Sequence, residues 1–362
     1  MISRFNIIDK YIIKKFIGTY FFAILIFIGI VIIFDVSEKI DNFVEKGASL
    51  QAIVVQYYGN FIPYFMNMFS PLFIFIAVIF FTSKLASHSE IVAILAGGIS
   101  FKRMLYPYFI SALGIAIFSL VLNLFVIPPA NRVRLDFTDK YIKDKFVNTN
   151  RDIHLQLSPG NYVYMETFNS WSNIASKFTL ETIEGHKIVS KLTAETAIWD
   201  TTFGGWKLYK YYIRDNSSAI QKITQGETLD TVINLTVNDL NRRDNIVESY
   251  NYTELNDLIR TQKMRGDKRV IYSQIEKHTR FALPFSAFIL TLIGVSLSAR
   301  KRKGGIGINM GIGLMLSFSY ILFLRFSQMF VHVGALPVFI AIWVPNMLYA
   351  IIALFLYRIA PK

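Results

Sequence analysis

The sequence predicts a membrane α-helical protein of six transmembrane helices, arranged 3+3 around an inserted all-β periplasmic domain of jelly-roll-like type. Three observations predict it. The 362 residues are 53% hydrophobic and only 17% charged, whereas a soluble domain carries about 25% charged residues. Apolar runs long enough to cross about 30 Å of hydrocarbon recur in two clusters. The stretch between the clusters reads as short strands and turns. The 32 Phe and 19 Tyr also exceed what one soluble core holds, so the surplus apolar surface must face lipid.

The spans follow in order. Residues 16–34 carry no charge and make the first. Residues 47–83 are also uncharged but longer than one crossing. Their first part reads as an outer, partly interfacial helix, leading into a span at 61–82 bent by Pro63 and Pro71. The third span, 104–127, ends at Pro128-Pro129, and residues 281–299, 306–324 and 336–357 supply the last three. The first run is long for a cleaved signal, and Asp35-Val36-Ser37-Glu38 is a poor small-residue cleavage site, so it reads as a retained anchor. The organisation is therefore residues 1–130 with three spans, 131–270 as the outer β domain with flanking helices, and 271–362 with three more spans.

Basic residues set the orientation. Arg4, Lys10, Lys14, Lys15, Lys84, Lys102, Arg103, Arg300, Lys301, Arg302, Lys303, Arg358 and Lys362 all fall on one side, while the short loops opposite hold Lys39 and Lys46. Both termini are thus expected in the cytoplasm and residues 131–270 in the periplasm. The net charge of +13 invites a nucleic-acid reading. However, residues 130–270 hold 20 Lys/Arg against 18 Asp/Glu, so the excess flanks the apolar runs and no nucleic-acid partner is expected. Cysteine is absent, which excludes disulfides and thiolate metal sites.

In the outer domain, residues 154–157, 161–166, 177–182, 187–192, 196–199, 206–213 and 231–235 read as strands. Turn formers such as Ser158-Pro159-Gly160-Asn161 and Gly204-Gly205 separate them, suggesting a sandwich or jelly roll. Charged helices at 132–146 and 252–265 bracket the domain, the second with Leu255, Leu258 and Ile259 on one face. The domain is either a folded spacer or a sheet that accepts an amphiphile or docks a partner's sheet edge.

The loop between spans two and three is the most informative short stretch. In residues 87–98, Ser87 and Glu90 have capping-box spacing. Ile91, Ile94 and Leu95 then share one face, and Gly97-Gly98 offers a stop. A helix of about three turns is expected at the cytoplasmic surface. It either floats in the interface or works as a lever inserted into a cytoplasmic partner.

At these residues the chain resembles the LptF/LptG family of lipopolysaccharide-export permeases. The likeness spans Ile8-Asp9-Lys10-Tyr11-Ile12, Ser89-Glu90-Ile91 with Gly97-Gly98-Ile99-Ser100, and His278-Thr279-Arg280-Phe281-Ala282-Leu283-Pro284. It continues through Gly304-Gly305-Ile306-Gly307 and Leu336-Pro337…Trp343-Val344-Pro345-Asn346. The resemblance implies an ABC transporter permease that pairs with a second LptF/LptG-like permease on a cytoplasmic LptB-like ATPase dimer. It would move lipopolysaccharide through periplasmic LptC/LptA-like jellyroll proteins towards the outer membrane. It further implies a coupling helix in which Ser89, Glu90, Ile91, Val92, Ile94, Leu95 and Gly97 meet the ATPase, a jelly roll at 150–240, and lateral gates lined by spans one and five. Some members carry basic residues at the outer end of span one that meet substrate phosphates. Here that region reads Ile32-Ile33-Phe34-Asp35, with Lys39 nearby.

The chain lacks a Gly-x-x-x-x-Gly-Lys-Ser/Thr loop, a His-Glu-x-x-His pair and a Gly-x-Ser-x-Gly elbow. No catalytic residue, metal ligand or cofactor is therefore expected, and ATP hydrolysis belongs to a partner. Glycines from Gly304 to Gly307, with Gly311 and Gly313, suit close helix contact. Arg325, in the outer half of span five, either snorkels or meets a substrate phosphate or partner. Lys39 and Lys46 are the other candidate anion contacts. The competing reading is a membrane-anchored receptor or assembly factor whose β domain does the work. That reading predicts no stable ATPase partner and tolerance of changes at Ile91, Ile94 and Leu95.

Overall fold

The structure is a computed structural model and describes residues 7–142, 151–217, 220–240, 244–299 and 305–360. Arg4, the end of the helix expected at 132–146, the Arg300–Lys303 basic run, Gly304 and Lys362 lie outside the described residues. The chain divides into two compact units, one of residues 1–142, 248–252 and 274–362, the other of residues 143–247 and 253–273.

In the first unit the helices are α1 (Ile7–Glu45), α2 (Gly59–Ser87), α3 (Glu90–Ala96), α4 (Phe101–Val121), α5 (Ile127–Tyr141), α8 (Val270–Ser298), α9 (Gly305–His332) and α10 (Val338–Ile359). Helix α8 starts within the second unit. Among the described residues six helical stretches are long and apolar enough to cross a membrane: Ile7–Glu45, Ala52–Ser87, Phe101–Tyr141, Val270–Ser298, Gly307–His332 and Val338–Ile359.

Five of these outrun the expected spans, and for the second and third the prolines explain part of it. Pro128-Pro129 do not end the third span. A π-helical turn, Leu122–Val126, comes first, and the prolines occupy the opening turn of α5. Proline's missing N–H is harmless at a helix start. The segment Ala52–Tyr58 is likewise π-helical and runs straight into α2, five residues before Pro63. Aromatic packing supplies the rest. Phe43, Tyr57, Tyr58, Phe61 and Phe137 form one buried cluster, with Phe43 and Phe137 at 5.9 Å and Tyr57 and Phe137 at 5.3 Å between ring centroids. Helices α1 and α5 continue because each buries an aromatic side chain there.

Helices α2 and α8 are the most buried spans. Of their most apolar stretches 67% and 72% are buried, against 22% for α1 and 28% for α9. Besides Phe43, the fully buried apolar side chains of α1 form one stripe, Ile12, Phe16, Tyr20, Ile24 and Ile28, at the i, i+4 spacing of one helix face. Phe22, Leu25, Ile26, Ile33 and Phe34 are exposed on its remaining surface. Polar side chains knit the helices inside. Ser119 donates to Asn67 at 2.5 Å and Asn67 to Asn123 at 2.8 Å. Tyr320 donates to Asn346 at 2.9 Å, and Asn346 to the Ala282 carbonyl at 2.9 Å. Such bonds hold helices together where lipid offers no hydrophobic drive.

Glycines act selectively. A Cβ on Gly313 would stand 2.1 Å from Ile79 Cδ1, and one on Gly294 2.7 Å from Val78 Cγ1, so α9 and α8 both approach α2 closely. Gly307 and Gly311 face open space. The expected glycine contact within the bundle therefore rests on Gly313.

The second unit holds six strands: β1 (Arg151–Ser158), β2 (Asn161–Asn169), β3 (Ile174–Glu184), β4 (Lys187–Asp200), β5 (Gly205–Asp215) and β6 (Lys222–Thr231). They form one antiparallel sheet in sequence order, so strands consecutive in the chain are neighbours and no crossover joins the described strands. The segments expected at 187–192 and 196–199 are one strand. The polar strand β6 replaces the expected strand at 231–235, whose Leu235 instead plugs the core and accepts a 2.8 Å bond from Trp206 Nε1. Leu155, Val163, Met165, Phe178, Trp206 and Leu208 share that core with Leu240 of α6 (Val237–Leu240). Helix α7 (Tyr252–Arg265) has the expected bounds and buries Leu255, Leu258 and Ile259.

One line across this sheet is unusual. Asp152, Lys177 and Lys210 adopt φ of 53°, 49° and 51°. By register they align with Glu166, Glu195 and Glu227 in a single row spanning all six strands, where the regular pairing is interrupted. Lys177 pairs with Glu166 at 2.6 Å and Lys210 with Glu195 at 2.8 Å. Left-handed residues in register bend neighbouring strands at the same level.

Candidate functional site

The loop between α2 and α4 folds back sharply. Helix α2 ends at Ser87, whose Oγ donates to the Lys84 carbonyl at 2.8 Å. Ser89 takes φ 63°, reversing the chain, and makes no side-chain cap bond to α3. The expected capping box does not form, because Ser87 still belongs to the preceding helix. Helix α3 has seven residues, about two turns rather than three. Its C-terminal end behaves as expected. Gly97 N–H donates to the Ala93 carbonyl at 3.0 Å, and Gly98 takes φ 85° while its N–H donates to the Leu95 carbonyl at 3.0 Å. A left-handed residue here suits glycine.

The faces of α3 are assigned by burial. Ile91 is 1% exposed, and Ile94 and Leu95 pack on the same membrane core. Val92, Ala93 and Ala96 are exposed, with His88 and Ser89 beside them. Any surface offered to a partner is therefore small-residue and Val92-centred. The Ile91/Ile94/Leu95 face is already used within the chain. Glu90 sits on the border, 3.8 Å from His88 Nδ1 and accepting a 3.4 Å bond from Tyr11 Oη.

The candidate anion contacts do not converge. Lys39 Nζ is held by Asp35 and by the Tyr57 hydroxyl at 2.7 Å, while Tyr58 Oη donates to Asp35 at 3.0 Å. Its charge is matched within the chain, and its side chain is only 21% exposed. Lys46 is exposed just beyond α1. Arg325 is exposed on α9, 3.4 Å from Gln328 Oε1.

A polar cluster absent from the sequence reading lies around Glu248, in the short helix Asp244–Ser249. Tyr64 Oη donates to its Oε1 at 3.0 Å, Asn131 Nδ2 to its Oε2 at 3.5 Å, and Arg134 Nη2 stands 3.9 Å away. The Arg134 guanidinium also covers the Tyr64 ring at 5.1 Å. Burial, helped by the neighbouring Glu276 charge, pushes the Glu248 carboxyl up to about 7. The Tyr64 bond and the Arg134 and Arg325 charges pull the other way. No local motif marks this cluster, since its members come from α2, α5, α8, α9 and the segment before α7.

The second unit contains a cavity of about 570 Å³ lined in part by Leu155, Tyr162, Val163, Lys191 and Arg265. Glu181 also lines it and pairs with Lys191 at 2.7 Å, and Arg265 pairs with Asp239 at 3.3 Å, so both cations are matched within the chain. A family model for the lipopolysaccharide export system permease LptF/LptG matches residues 10–359. No curated protein matches the chain.

Proposed function

The chain belongs to the LptF/LptG family of lipopolysaccharide export permeases, and we propose that it forms the lipid passage of a transporter powered by a separate ATPase. It is a multi-pass inner-membrane permease component, with six apolar helices and an inserted six-stranded domain. In this reading both termini and α3 lie in the cytoplasm, and the sheet domain lies in the periplasm. A cytoplasmic LptB-like ATPase dimer seats α3. A second LptF/LptG-like permease completes the passage, and LptC/LptA-like jellyroll proteins take the lipid onward.

The observation that carries this reading is the two-sided burial of α3. Its aliphatic face is fixed to the bundle while Val92, Ala93 and Ala96 remain exposed. A helix held this way passes a push directly into the spans. The largely exposed apolar faces of α1 and α9 suit contact with lipid and with the second permease. Neither helix could keep such a surface in water. No covalent step is needed. ATP and lipid act through their different affinities for two conformations of the complex.

Co-purification tests the coupling. Val92→Asp, on the exposed face, is expected to lower recovery of the ATPase at least fivefold while membrane insertion and yield stay unchanged. Normal recovery would remove α3 from the interface. Leu95→Asp is expected to lower yield as well, because its side chain packs inward.

A further inference from the structure

The start of α1 is tied to both ends of the α3 segment. Asp9, in its first turn, is 2% exposed. It accepts two bonds from Arg103, Nη1 to Oδ1 at 2.7 Å and Nη2 to Oδ2 at 2.6 Å. That is the fork-on-fork geometry that fixes orientation as well as distance. Arg103 is the third residue of α4, and its N–H donates to the capping Ser100 Oγ at 3.3 Å. Only residues 97–100 separate α3 from α4. Two residues along α1, Tyr11 Oη reaches Glu90, the first residue of α3, at 3.4 Å, and its ring meets Phe81 of α2 edge-on at 6.3 Å. Lys10, Lys14 and Lys15 on α1 are exposed, and Lys15 Nζ lies over the Tyr11 ring at 5.9 Å from its centroid.

We propose that the Asp9–Arg103 pair is the link that makes α1 follow α3, with Asp9 as a positioning residue for export. The proposal rests on the coupling reading above and extends it to a defined mechanical path. A displacement of α3 reaches Arg103 through a four-residue connection whose far end is capped by Ser100. The guanidinium fork then carries it to a buried carboxylate at the end of the longest described α-helix in the bundle. Along its first half α1 fully buries only the stripe Ile12, Phe16, Tyr20, Ile24 and Ile28, while the Phe43 cluster holds its far end, so a pull at its start displaces that half against few fully buried contacts. Side chains joined by a single flexible bond would lose the displacement. Two parallel bonds keep both direction and length.

The test uses the full transporter with its ATPase, reconstituted with lipopolysaccharide in liposomes. Asp9→Asn and Arg103→Lys are measured beside the exchanged pair, Asp9→Arg with Arg103→Asp. Arg103→Lys keeps the charge and removes the fork, and it decides the matter if Asp9→Asn accumulates poorly. Each single variant is expected to keep ATPase recovery and ATP hydrolysis within twofold, while lipopolysaccharide released per ATP falls at least tenfold. The exchanged pair is expected to regain at least a third of the release. A contact that serves folding alone would lower hydrolysis and release together, and that result overturns the proposal. Wild-type release per ATP in Arg103→Lys overturns it as well. Failure of the unmodified chain to recover any ATPase would instead remove the coupling reading beneath it.

Discussion

Burial makes Glu248 a proton-sensitive residue. Its carboxyl is raised above the ordinary value, so the folded protein holds a proton that the unfolded chain releases. Stability from this group therefore falls as pH climbs from about 4.5 to about 7 and stays level above that. Glu248→Gln is expected to change little at pH 5 and to stabilise by about 2 kcal/mol at pH 8. Thermal unfolding in detergent at the two pH values checks this, and an equal effect at both would show that the charge is not strained. Lys39 gives the opposite lesson. Sequence position marked it as an anion contact, but Asp35 and Tyr57 already hold it. A lysine's availability depends on neighbours that come together only after folding.

At the scale of elements, α9 shows how one helix uses glycine in two ways. Gly313→Val is expected to cost about 1–3 kcal/mol by overpacking against Ile79 and Phe75. Gly311→Ala should hold or slightly raise the melting temperature of the purified chain, because nothing stands near that position and alanine favours the helix. Equal effects at the two sites would contradict the packing of α9 on α2. The sheet carries a second element-scale expectation. Lys177 holds a left-handed backbone that β-branched residues resist. Lys177→Val is expected to lower the unfolding temperature of the sheet domain, read from its tryptophans, whereas Lys177→Gly is tolerated. Strand β6 was illegible because its sequence is polar and mostly exposed, so neither alternation nor apolar content marks it. Helix α3 was half legible. Its aliphatic spacing and Gly97-Gly98 stop were visible, but the partner packing against that spacing was not, and the inferred cap failed because α2 extends through Ser87.

The whole molecule offers a direct test of orientation, because the chain contains no cysteine. Trp171→Cys, on the exposed sheet domain, is expected to react with a membrane-impermeant thiol reagent in intact spheroplasts. Val92→Cys should react only after lysis. Reversed labelling would invert the topology and detach α3 from any cytoplasmic ATPase. The sequence by itself determined the number of apolar spans and the presence of a β insert. Those features follow from local hydropathy, charge and turn chemistry, which need no partner to be read. Tertiary structure alone decided which face of α3 is free, which glycine is close-packed, where Lys39 spends its charge and that Asp9 meets Arg103. Each of these depends on which residues distant in the chain become neighbours, and helical periodicity gives a face without saying what will cover it.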